Sequence, residues 1–76
     1  MTTKIQLTNQ PQQIVNAENW ALLSSSSGQD FKIHVGDSVT NLDAFHLVRE
    51  LGFGVGVKVW AWTDSSSPVY VSVSQG

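Results

Sequence analysis

The 76-residue chain contains no cysteine. Disulfides are thereby excluded, and with them the thiolate metal sites that staple many domains of this size. Basic residues are nearly as scarce. Lys4, Lys32, Arg49 and Lys58 are the only four, against six Asp and Glu, for a formal net charge of -2. They stand singly along the chain, so no run or stripe exists to neutralise phosphates, and neither nucleic acid nor an anionic membrane is an expected partner. No apolar run approaches the ~20 residues of a membrane span. The first residues lack the basic and apolar regions of a signal peptide. A soluble chain made in the cytosol is the expectation, while the lack of cysteine leaves its working compartment open.

The length allows one domain, residues 1–76. Chains this short gain little more from burial than they lose on ordering. With no disulfide to help, subunit association is the simplest further source of stability.

What the chain does have is period-two alternation, repeated in short runs rich in β-formers. Lys4-Ile5-Gln6-Leu7-Thr8 is the first run, broken by Asn9, Gln10 and Pro11, with residues 12–15 as a short return. Residues 20–23 form an apolar stretch that ends in the loop composition of 24–28. Phe31-Lys32-Ile33-His34-Val35 alternates cleanly, and Gly36-Asp37-Ser38 closes it. The strongest run, 55–63, is separated from 69–73 by Asp64 to Pro68, which predicts a hairpin with a longer loop. The two serine clusters, 24–27 and 65–67, read as surface loops.

Residues 40–52 admit two readings. Leu42, Phe45, Val48 and Leu51 lie three apart, and Thr40-Asn41-Leu42-Asp43 has capping-box form, as a helix would require. Phe45, Leu47 and Arg49 also alternate with His46, Val48 and Glu50, as a strand would. The β character of every other element favours the strand. The expected fold is an all-β antiparallel sandwich or flattened barrel of six or seven short strands. Its expected core comprises Ile5, Leu7, Phe31, Ile33, Val35, Val57, Val59, Val71 and Val73, and strands 55–63 and 69–74 are expected to pair centrally.

Groups that carry chemistry are few. His34 and His46 have Asp37 and Asp43 near in sequence, but their spacing matches no metal motif. No serine sits in a nucleophile elbow. Asp30, Asp37, Asp43 and Asp64 occupy turn contexts, where Asp bonds its own backbone. Gly52-Phe53-Gly54-Val55-Gly56 superficially matches a phosphate loop, yet a strand and not a helix follows it, so a turn or bulge is expected. No enzyme activity, cofactor or metal is expected.

The tryptophans carry the most information. In the 55–63 strand, Val55, Val57, Val59 and Ala61 share one face, while Gly56, Lys58, Trp60 and Trp62 share the other. Either the valines are the core and two indoles project outward as a contact surface, or the indoles are core or are covered by a loop. On both readings this strand is buried on two sides.

The order of these signals resembles small virion structural proteins of tailed bacteriophages. The residues that carry the resemblance are Ile5-Gln6-Leu7-Thr8-Asn9, Phe31 to Ser38, Ala44-Phe45-His46-Leu47, Lys58-Val59-Trp60-Ala61-Trp62 and the closing 69–73 strand. It implies a compact β module that is commonly oligomeric, with capsid-decoration, head-fibre or tail-knob roles in a virion. It also favours a strand at 44–49. The leading expectation is therefore a non-enzymatic virion protein that self-assembles, as a trimer by the resemblance, and docks onto other virion proteins. Trp60, Trp62 and Tyr70 are the expected subunit or ligand contact, Tyr70 lying beside the indoles in the paired strand. One alternative is a carbohydrate- or receptor-binding module in which Trp60 and Trp62 stack on a host surface glycan, with Trp20 as a third platform. Another is a small phage-encoded inhibitor of a host protein.

Overall fold

The alternating runs become eight strands, and the described residues contain no helix. The structure is a computed structural model that describes every residue except Met1, Ser27 and Ser67, so the ends of the two serine clusters lie outside it. The strands are β1 (Thr2–Leu7), β2 (Gln12–Val15), β3 (Ala21–Ser25), β4 (Phe31–Val35), β5 (His46–Val48), β6 (Glu50–Phe53), β7 (Val59–Trp62) and β8 (Val69–Gln75). They form two antiparallel four-stranded sheets, ordered β1-β8-β3-β6 and β2-β7-β4-β5. The fold is all-β and has the two-sheet form of a sandwich, with eight strands where six or seven were expected.

Each sheet turns an apolar row inward. Leu7, Ala21, Leu23, Val69, Val71 and Val73 from the first sheet meet Ile14, Val15, Phe31, Ile33, Val59 and Ala61 from the second, all buried. Such burial is the dominant favourable term in folding. Of the expected core, Ile5 and Val57 pack only partly against this cluster, and Val35, the last residue of β4, is exposed at its rim. Ile14 and Val15 both reach the core because the β2–β7 register shifts between Gln13 and Val15, a bulge that turns consecutive side chains to one face.

Three expectations are corrected. First, β7 and β8 do not pair. β7 lies between β2 and β4, β8 lies between β1 and β3, and the two strands belong to different sheets. β7 and β8 are thus joined as an arch between sheets instead of a hairpin, and the chain leaving β7 is anchored by Thr63 N–H donating to the Thr8 carbonyl at 2.9 Å. The physical reason is burial. A hairpin sets two apolar faces side by side, whereas an arch opposes Val59 and Ala61 to Val69, Val71 and Val73, so that each covers the other. For the same reason β2 crosses to the second sheet and does not return alongside β1.

Second, the 55–63 run is a strand only over Val59–Trp62. Val55 and Gly56 form a turn in which Gly56 adopts φ 104° and donates to the Ala17 carbonyl at 2.9 Å. Third, Gly52 and Phe53, expected within the turn or bulge of 52–56, belong to β6 as a partner of β3, and the turn is confined to Val55 and Gly56. Of 40–52, residues 46–48 and 50–52 take the strand reading as parts of β5 and β6, while 40–45 are turn and irregular chain. The apparent capping box at Asn41 is an Asx turn, in which the Asn41 Oδ1 accepts from Asp43 N–H at 2.9 Å. A single residue, Arg49, carries the chain from one sheet to the other, and its carbonyl accepts from Ser25 N–H at 2.8 Å.

Candidate interaction site

Strand β7 places Val59 and Ala61 in the core, which turns Trp60 and Trp62 to the outer face of the second sheet. The indoles are nevertheless covered there. Phe45 stands edge-on over Trp62, with ring centroids 6.2 Å apart at 76°, and Trp62 is only 2% exposed. The Lys32 ammonium lies 4.4 Å above the Phe45 ring and pairs with Asp64 at 2.5 Å. Trp60 is half-buried and donates its indole N–H to the Gly36 carbonyl at 3.0 Å. The segment between β4 and β5 thus closes over this face, which is the loop-covered arrangement. The strand is buried on two sides, as both readings required.

Tyr70 lies elsewhere. It belongs to β8 in the first sheet, on that sheet's outer face, with Lys4 Nζ 4.7 Å from its ring centroid. The three expected contact residues are therefore not one cluster. Trp60 and Trp62 are on one outer face of the molecule and Tyr70 is on the other, because the arch separates the strands that a hairpin would have joined.

The most exposed indole is Trp20, at 48%. It immediately precedes β3, a central strand of the first sheet, and shares the outward side of that chain with Leu22, which is 46% exposed. Their neighbours are small. Leu22 stands between Ser74 of β8 and Gly52 of β6. The Trp20 indole lies across Gly76, where any Cβ would collide with the ring at Nε1 and Cζ2. Trp20 and Leu22 therefore form an apolar ridge on a face whose other side chains include Lys4, Tyr70 and Glu50 and the hydroxyls of Thr2 and Ser74, whose oxygens are 2.9 Å apart. At the end of the sandwich beneath Trp20, Thr3, Asn19, Gln75 and Gly76 line a depression of about 260 Å³, Thr3 and Gln75 lying on the inward side of their strands.

The two histidines share one surface depression. His34 and His46 line a second open depression of about 390 Å³ with Val35, Ala44 and Phe45, and the His34 Nδ1 lies 3.3 Å from the Ala44 carbonyl. Among the described residues no three His, Cys, Asp or Glu side chains are grouped to hold a metal ion. Three of the aspartates placed in turns make ion pairs at the surface: Asp64 with Lys32, Asp30 with Arg49 and Asp37 with Lys58.

No protein-family model, curated protein or solved structure matches the chain. The site is an exposed tryptophan–leucine pair on a largely polar sheet face. The alternation of Trp20 and Leu22 against Ala21 and Leu23 was visible in the sequence. Which pair would face outward was not, since both are apolar.

Proposed function

We propose that this chain is a non-enzymatic virion structural protein of the tailed-phage kind, acting by self-assembly and by docking onto a particle. The observation that carries this reading is the Trp20–Leu22 ridge. A half-exposed indole and leucine on a central strand, flanked by Gly52, Ser74 and Gly76, give a partner protein a projecting apolar anchor with room on both sides. Tryptophan is enriched among residues whose truncation costs an interface ~2 kcal/mol or more, because it buries a large area with little rotamer entropy to lose. The docking residue is thus Trp20, and Trp62, sealed under Phe45, takes no part in it.

Mass spectrometry of purified particles tests the reading directly. The protein is expected in the particle, and a Trp20→Ala variant is expected to fold normally but to be lost from particles. Absence of the wild-type protein from particles during productive infection overturns the proposal.

A glycan-binding function is the second reading, moved from Trp60 and Trp62 to Trp20. It is favoured by the half-exposed Trp20 indole, whose face suits the C–H surface of a sugar, with the Asn19 amide immediately before it to meet sugar hydroxyls. Titration with host-envelope polysaccharides distinguishes the two, since a change in tryptophan emission that Trp20→Ala abolishes belongs only to the second.

A further inference from the structure

Every sheet has two edges, and an edge strand presents unpaired N–H and C=O groups to any chain able to pair with them. Natural proteins blunt such edges by shortness, bulges, proline or charge. Three of the edges here are blunted in these ways. β5 has only three residues, β6 has four with a glycine among them, and β2 has four, is preceded by Pro11 and is broken by its bulge. β1 is different. It has six residues, keeps an unbroken register with β8, and is free of proline.

The ladder shows which groups β1 leaves open. Tyr70 directs its carbonyl toward the β3 side, accepting from Ser26 N–H at 2.9 Å. By the alternation of antiparallel ladders, Ser72 and Ser74 turn the same way, while Val69, Val71 and Val73 turn toward β1. Their register partners are Leu7, Ile5 and Thr3. The backbone groups of Thr2, Lys4 and Gln6 therefore face outward. Among the described residues, only the Gln6 carbonyl meets a side chain there, the Gln12 amide at 3.3 Å, and a carbonyl has a second lone pair. Lys4 is the one charge on this strand, but its ammonium is drawn back over the Tyr70 ring and does not guard the edge.

We infer that β1 is the self-assembly edge, pairing antiparallel with β1 of a second copy about a two-fold axis. This deepens the self-assembly part of the function proposed above, and it replaces the trimer implied by resemblance with an isologous pair. The register follows from charge and burial. Lys4 opposite Lys4 is disfavoured as a like-charge cross-strand pair. Lys4 opposite the second copy's Gln6 avoids this and forms about four backbone hydrogen bonds. It also sets the two half-buried Ile5 side chains against each other at a non-hydrogen-bonded position, where cross-strand side chains come closest. The two first sheets then join into one continuous eight-stranded sheet.

Sedimentation equilibrium and amide hydrogen exchange on the 76-residue chain test the pairing. The wild type is expected to form dimers at ~1 mM, as befits a small interface. Lys4→Pro removes an outward N–H without touching the β1–β8 ladder, so it is expected to be folded and monomeric. Should that variant unfold, exchange on the wild type decides. Protection of the Lys4 and Gln6 amides is expected to rise about five-fold or more between ~10 µM and ~1 mM by mass action, while the Ile5 amide is protected at both. A wild-type monomer at ~1 mM, a folded Lys4→Pro variant of wild-type mass, or concentration-independent exchange at Lys4 and Gln6 overturns the inference. Each of these results can occur with the protein still present in particles, so failure of the edge is distinct from failure of the virion reading.

Discussion

Removing the Phe45 ring should uncover Trp62 and destabilise the whole second sheet. In Phe45→Ala three contributions are lost. The edge-on pair with Trp62, at 6.2 Å and 76°, is worth about 1 kcal/mol beyond area. Half-burial of the ring contributes roughly another 1 kcal/mol. The Lys32 ammonium 4.4 Å from the ring adds about 0.5 kcal/mol, the lower figure applying because Lys32 also pairs with the exposed Asp64. The sum, about 2–3 kcal/mol, corresponds to a fall in Tm of roughly 10–20 °C for a chain of this length. The site of the effect can be read separately by ¹⁹F NMR of protein labelled with 5-fluorotryptophan, where each indole has its own signal. The Trp62 resonance should move toward its solvent-exposed position, the Trp60 resonance less so, and that of Trp20, on the other sheet, not at all. Phe45→Leu, which keeps apolar cover but loses the ring, should fall between the wild type and the alanine variant. If Phe45→Ala moved Tm by less than about 2 °C and left the Trp62 signal in place, the account of this segment as the cover of the tryptophan face would be refuted.

Further predictions separate residues that look alike in the sequence. Leu23→Ala should cost about 3–4 kcal/mol in urea unfolding, since Leu23 is fully buried, whereas its neighbour Leu22→Ala should stay within about 0.5 kcal/mol. Equal effects would mean that the wrong face of β3 has been placed inward. Gly56→Ala should cost about 1–2 kcal/mol because Gly56 holds φ 104°, and no atom lies within 4 Å of the new Cβ, so the cost is conformational; Gly54→Ala, also open but without a positive φ, should be close to neutral or slightly stabilising. Any residue placed at 76 in place of glycine should displace the Trp20 indole, and fluorescence of a Gly76→Val variant should report this without loss of the fold.

Local alternation was enough to locate most of the strands. Ile5 and Leu7, Phe31 and Ile33, and Val71 and Val73 repeat at period two, a spacing that sends alternate side chains to one face whatever the strand pairs with. Composition and length likewise pointed to a single all-β domain. Pairing was another matter, because the same alternation serves a hairpin and an arch equally well. Val59 and Ala61 face Val69, Val71 and Val73 across the core only because two sheets exist to be closed on each other, and that is a property of the whole chain. The placement of the aromatics followed from it. Trp62 is hidden because Phe45, seventeen positions earlier in the chain, folds over it, and Tyr70 is parted from the indoles because the arch carries β8 to the other sheet. Trp20 stands exposed for a similar reason, since the apolar pairs Trp20/Leu22 and Ala21/Leu23 are equivalent by periodicity. Packing chose between them: the small Ala21 and the well-fitting Leu23 close the core, while the indole finds its space over a glycine that lies 56 residues away in sequence.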